Sequence, residues 1–246
     1  MQGHGIDIAT ADGIADAYLV RPDGDDPHPA VLFLMDAFGL RARIEEMADE
    51  IASHGYFVLA PNLFYRAGRA PVLPMPEGDD PDARGRFFGE VKPLINALTP
   101  DRLGADGQAY LDRLGEESSG RVAIVGYCMG ARVGWRIAAA HPDRVAALGG
   151  FHGGGLVTDA PDSPHRSAGD LSGVELYFGH ADQDQSMTPE QIAELEAALD
   201  AAGARYRSEL YEGARHGYTM SDTPVYDASA TERHFRELFG LLDRAL

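Results

Sequence analysis

Arg121-Val-Ala-Ile-Val-Gly126-Tyr127-Cys128-Met129-Gly130 is the stretch on which the reading of this chain turns. An apolar run of strand length leads straight into Gly-x-Cys-x-Gly, and a helical pattern containing Trp135 and Ile137 follows. A chain that turns this sharply from strand to helix holds its middle residue at the apex, in a strained backbone conformation. Side chains two positions to either side would collide with neighbouring backbone, so Gly126 and Gly130 leave the room the turn requires. The pattern is a nucleophile elbow with cysteine in the place usually held by serine. Free N–H groups and the helix dipole at the start of the helix also favour a thiolate at Cys128. The competing view makes Cys128 a buried filler and the glycines packing aids. The strand before and the helix after argue against it.

Outward from this stretch, short apolar runs alternate with amphipathic segments. Strands are predicted at residues 5–9, 14–20, 30–35, 56–60, 121–125, 145–150, 174–179 and 205–211. Helices are predicted at 41–54, 129–140, 189–202 and 225–246. In the third of these, Ile192, Leu195 and Leu199 recur at spacings of three and four, with Thr188-Pro189-Glu190 suited to its start and Gly203 to its end. Residues 30–35 are apolar throughout, as in a strand covered on both faces. Two early hairpin-like strands followed by strand–helix units indicate an α/β fold: a mostly parallel central sheet, helices on both faces and an antiparallel beginning. Residues 61–104, with a possible helix over 87–98, and residues 152–170 depart from this rhythm. They are expected to be elaborated loops, lids or pocket walls of a single domain spanning 1–246.

Composition narrows the function classes. Among 246 residues, 21 basic against 39 acidic side chains leave a net charge of −18, a surface that repels nucleic acid and anionic membranes. No apolar run is long enough to span a bilayer, and no basic-then-apolar start suggests secretion. The single cysteine excludes a disulfide framework and points to a reducing cytoplasm. Metal-ligand spacings of the H-E-x-x-H or C-x-x-C kind are absent, so neither metal nor cofactor is expected.

An elbow nucleophile needs a base and an orienting acid, in chain order nucleophile, acid, histidine. His216 lies just beyond the last strand, where a loop at the carboxyl edge of the sheet would carry the base. For the acid, Leu176-Tyr-Phe-Gly179-His-Ala-Asp182-Gln-Asp184 offers two carboxylates after an apolar strand. Asp182, three residues beyond a strand taken to end at Gly179, is the choice, and Asp184 is the fallback. His152 and His180 follow apolar strands and read as hydrogen-bonding or shaping residues. His4, His28, His54, His141 and His165 fall at the N-terminus, in loops or at helix ends, where solvated side chains are expected. Oxyanion donors are expected from the Met129 N–H and from the loop Met35-Asp36-Ala37-Phe38-Gly39 after the third strand.

Taken together, Asp36-Ala-Phe-Gly-Leu40, Gly55-Tyr-Phe-Val-Leu-Ala-Pro-Asn-Leu63, Gly126-Tyr-Cys-Met-Gly130, Gly179-His-Ala-Asp182 and Gly213-Ala-Arg-His-Gly217 give the chain a family likeness. Over nearly its whole length it resembles the dienelactone hydrolases, a cysteine branch of the α/β-hydrolases. The resemblance implies Cys128 as nucleophile, His216 as base, Asp182 as orienting acid, and Ala37 and Met129 as oxyanion donors. Asp36 stands where the family has a glutamate that helps control when the thiolate forms. Relatives that act on dienelactone carboxylates grip the carboxylate with arginines, one of them four positions after the histidine. Here that position is Met220, while Arg84 and Arg86 lie roughly at the place of the other.

The expected activity is hydrolysis of a small-molecule ester or enol lactone, of the carboxymethylenebutenolide kind, through a cysteine acyl-enzyme. A broader carboxylesterase or thioesterase on the same fold is the enzymatic alternative. A non-catalytic small-molecule binding protein is the alternative from another class.

Overall fold

The computed structural model describes residues 3–24, 27–76, 80–118 and 120–246. It divides the chain into two compact units, residues 1–119 and 120–246.

The first unit contains β1 (His4–Thr10), β2 (Gly13–Val20), β3 (Ala30–Leu34), α1 (Ala42–Ser53), β4 (Phe57–Pro61), α2 (Pro81–Asn96) and α3 (Pro100–Gly115). β1 and β2 form an antiparallel hairpin, β2 pairs antiparallel with β4, and β3 lies parallel to β4 on its other side. Every residue of β3 and β4 is buried, which is why both read as unbroken apolar runs rather than as alternating strands. α2 is longer than the helix expected over 87–98. It starts where Asp80 accepts a hydrogen bond from the Asp82 N–H and Pro81 opens the first turn.

The sequence reading missed α3. Leu103, Gly107, Tyr110, Leu111 and Leu114 form its buried face, but Gly104 and Gly107 lower helix propensity enough to disguise the pattern. Asp106 on the same face takes both guanidinium nitrogens of Arg66, at 2.8 and 2.9 Å, and the Tyr65 hydroxyl at 2.8 Å. The buried carboxylate is therefore paired rather than stranded.

The second unit contains β5 (Val122–Tyr127), α4 (Met129–Ala140), β6 (Val145–Phe151), β7 (Glu175–Gln183), α5 (Pro189–Ala201), β8 (Arg205–Arg215) and α6 (Ala228–Ala245). Its four strands are all parallel, in the order β5, β6, β7, β8. A 3-10 segment, Pro164–Leu171, precedes β7. It is no loose surface loop: it packs against α4 and α5, and Ser167 accepts a hydrogen bond from the buried Trp135 ring N–H at 3.0 Å. His165, expected in solvent, is buried between Ser163 at 2.8 Å and Glu194 at 3.2 Å.

α5 begins with the expected cap. Thr188 and Gln191 exchange side-chain and backbone hydrogen bonds, a complete capping box. Small residues let α4 lie close on β6: a Cβ on Gly150 would stand 3.3 Å from the Ala131 methyl. Among the described residues, no helix is long and apolar enough to cross a membrane, and no cluster of His, Cys, Asp or Glu could hold a metal ion.

Candidate active site

Cys128 occupies the junction of β5 and α4 with φ 53° and ψ −114°, a left-handed conformation that costs a non-glycine residue energy. Three backbone contacts hold it there. Its N–H donates to the Phe151 carbonyl at 3.1 Å, and its own carbonyl accepts from Ala131 and Gly154, each at 3.3 Å. The need for glycine at 126 is explicit, since a Cβ there would stand 2.2 Å from the Gly130 carbonyl oxygen. Met129 is the first residue of α4, and N–H groups in a first turn have no partner within the helix.

His216 lies at the end of β8. Its Nδ1 pairs with Asp184 Oδ2 at 2.6 Å, and its ring lies close enough to the Cys128 sulfur to feel its charge. Burial works against a charged ring. The Cys128 sulfur and the Asp184 carboxylate outweigh it, and together they hold the His216 pKa well above its ordinary value. The other Asp184 oxygen accepts from the Ser186 N–H at 2.7 Å. The carboxylate is almost wholly shielded from solvent, so its aim at the imidazole is fixed.

This geometry corrects the choice of acid. Asp182 is exposed, and its carboxylate accepts from the Gly213 N–H at 3.0 Å, far from the role expected of it. Gly179 does not end β7. It is a mid-strand residue, and a Cβ on it would meet the Phe151 and Tyr211 rings and the Tyr218 hydroxyl at 2.9–3.0 Å. The strand runs on to Gln183, with a register shift against β8 between Ala181 and Gln183. The first carboxylate past the strand is therefore Asp184.

His152 and His180 are spectators of titration. His152 is fully buried with Nε2 on the Thr219 hydroxyl at 2.8 Å, its ring edge-on to His216 at 5.4 Å. Burial, reinforced by the neighbouring His216 and His234, pushes its pKa well down. His180 contacts Ser208, and burial lowers its pKa to about 4 although Asp184 pulls the other way. His234 escaped the sequence reading altogether: it is buried on α6 and hydrogen-bonds the Tyr127 hydroxyl at 2.7 Å.

In the first unit, Asp36 and Ala37 form the turn after β3. Arg41 grips both Asp36 oxygens, at 2.7 and 3.1 Å, and the Phe38 N–H adds a bond at 2.9 Å. Phe38 packs on Phe87 of α2, with ring centroids 5.0 Å apart. Met220 is buried and belongs to the core rather than to a binding surface.

The family model for "Dienelactone hydrolase family" matches residues 15–246. The chain belongs to the dienelactone hydrolase family. An Escherichia coli K12 relative named "Putative carboxymethylenebutenolidase" is 30% identical over 229 residues, covering 88% of this chain and 77% of that one. The "Carboxymethylenebutenolidase" of Pseudomonas putida is 25% identical over 236 residues, covering 94% and 92%. A Klebsiella pneumoniae structure named "Putative Dienelactone Hydrolase" superposes with a TM-score of 0.84 at 22% identity, over 98% of this chain and 97% of that one. That likeness shows the fold, an α/β-hydrolase with a mostly parallel sheet, antiparallel N-terminal strands and flanking helices. Family membership makes this chain a dienelactone hydrolase-like hydrolase.

Proposed function

We propose that the chain hydrolyses a small-molecule ester or enol lactone through a cysteine acyl-enzyme, with Cys128 as nucleophile, His216 as base and Asp184 as orienting acid. One observation carries this reading. The His216 imidazole stands beside the Cys128 sulfur and is held by a buried, doubly anchored Asp184 carboxylate. A nucleophile, a base beside it and an orienter on that base are what covalent acyl transfer requires.

In the acylation step the Cys128 thiolate attacks the acyl carbon and forms a carbon–sulfur bond. The oxyanion takes the Met129 N–H at the start of α4. The protonated His216 gives its proton to the departing alkoxide or enolate oxygen. His216 then deprotonates a water that attacks the thiol ester, and the carbon–sulfur bond breaks to return the thiolate. Asp184 keeps Nδ1 of the ring occupied, so that Nε2 faces the sulfur and the reacting groups. Thiolate is a far better leaving group than an amine. Activated esters and enol lactones are therefore substrates, and amides are not.

Hydrolysis of p-nitrophenyl acetate tests the reading directly. Wild-type protein releases p-nitrophenolate, whereas Cys128→Ala, with an unchanged circular dichroism spectrum, falls to the rate without enzyme. An alanine variant with wild-type turnover would sink the nucleophile assignment. A wild type that binds such esters without turnover would make the chain a binding protein.

A further inference from the structure

Arg132 lies in the first turn of α4, four residues after Cys128 at the helix N-cap, and close enough to feel the charge of the Cys128 sulfur. Its Nη1 stands 3.5 Å from where a Cβ on Gly155 would be, and a Cβ on the adjacent Gly154 would stand 3.7 Å from His216 Cε1. The same loop is tied to the elbow by the Gly154 N–H on the Cys128 carbonyl and to the acid's loop by the Gly155 N–H on the Ser186 carbonyl. Arg132, His216 and the elbow thus surround one glycine loop.

Arg132 is half-buried, and among the described residues its guanidinium makes no hydrogen bond and no ion pair. Its neighbour Arg136, a turn further on, reaches Asp162 at 3.7 Å. Burial lowers the Arg132 pKa, with Arg136 pushing the same way, against the pull of the Cys128 sulfur and of Asp162, as expected for a cation with too little solvent and no ion-pair partner. Such a group is poorly compensated until an anion arrives. In a chain of net charge −18, an anionic substrate is repelled at long range, so it must be captured by a local cation. The family's clamp position cannot do so here, because Met220 is in the core.

We propose that Arg132 is the anchor for a carboxylate on the substrate of this hydrolase, held beside the elbow on the α4 side. The inference rests on the reading of Cys128 as nucleophile. A fork of two N–H donors suits a carboxylate, and lysine at this place would keep the charge but lose the paired geometry.

The test measures kcat and KM for a carboxylated enol lactone and for its methyl ester with wild type, Arg132→Met, Arg132→Lys and Arg136→Met. Wild type is expected to favour the free acid by about tenfold or more in kcat/KM. Arg132→Met is expected to cut that preference by about 10- to 100-fold, chiefly through the KM of the acid. Arg132→Lys should recover part of it, and Arg136→Met should keep the wild-type ratio. Three results would overturn the proposal: a ratio untouched in Arg132→Met, equal losses on acid and ester, or the same fall in Arg136→Met. A wild type that cleaves the methyl ester with no preference for the acid removes the Arg132 anchor and leaves the proposed function standing. A wild type that cleaves neither lactone nor p-nitrophenyl acetate removes the proposed function itself.

Discussion

Asp182 and Asp184 lie two residues apart in sequence, but their carboxylates meet different partners: one an exposed backbone N–H, the other the His216 imidazole. The difference has a sharp consequence for activity. Asp184 supplies both a hydrogen bond and a charge that hold the His216 pKa up. Without them the ring gives up its proton at lower pH. Asp184→Asn should therefore move the alkaline limb of the kcat/KM profile to lower pH and reduce the rate by about 10²- to 10⁴-fold. Asp182→Asn should keep both near wild type. Equal losses in the two variants would refute the assignment of Asp184. Choosing between these residues needed the true end of β7. A glycine in an apolar run reads as punctuation, whereas Gly179 is there because three aromatic side chains crowd its α-carbon.

At the scale of elements, the elbow and the strands beside it depend on close backbone approach rather than on any one contact. Gly126→Ala would drive a methyl group into the backbone of Gly130 and Ala131, which cannot yield without moving the start of α4. Gly179→Ala meets only side-chain atoms, so its cost should resemble ordinary overpacking, about 1–3 kcal/mol. Urea unfolding of the two variants should find Gly126→Ala the less stable, and it should also show the slower alkylation of Cys128 by iodoacetamide. The reverse order would mean that the elbow backbone is compliant. A smaller effect is expected at α5, where Thr188→Ala removes the capping box and about 1 kcal/mol of stability. These elements were legible because their signals are local: a cap, a glycine, an apolar run. α3 was not legible, because its glycines contradict its periodicity and only burial against β1, β3 and β4 settles the matter.

For the molecule as a whole, net charge and buried histidines set the response to pH. The folded pKa of His180 is about 4, against about 6.5 for an exposed histidine, so the unfolded chain takes up the proton first. Its contribution to stability is complete above about pH 6.5 and falls as pH drops toward 4, by about 3 kcal/mol at most. His216 acts with the opposite sign. Its raised pKa adds stability below the unfolded value, which is lost as pH rises through the folded one. Urea unfolding at pH 7 and pH 4.5 should show His180→Asn losing less stability on acidification than wild type, and an unchanged loss would exclude His180 as a cause.

The sequence by itself determined the strand–helix order apart from α3, the elbow at Cys128 and the placing of His216 after the last strand. Periodicity, glycine and chain order are local properties, and they survive without coordinates. Only the tertiary structure decided which carboxylate meets His216, that Asp36 is gripped by Arg41, that Met220 is interior, and that Arg132 stands beside the Cys128 elbow without an ion pair among the described residues. Each of these depends on where a strand ends or on which side chains share a space, and such distances arise only when the elements pack.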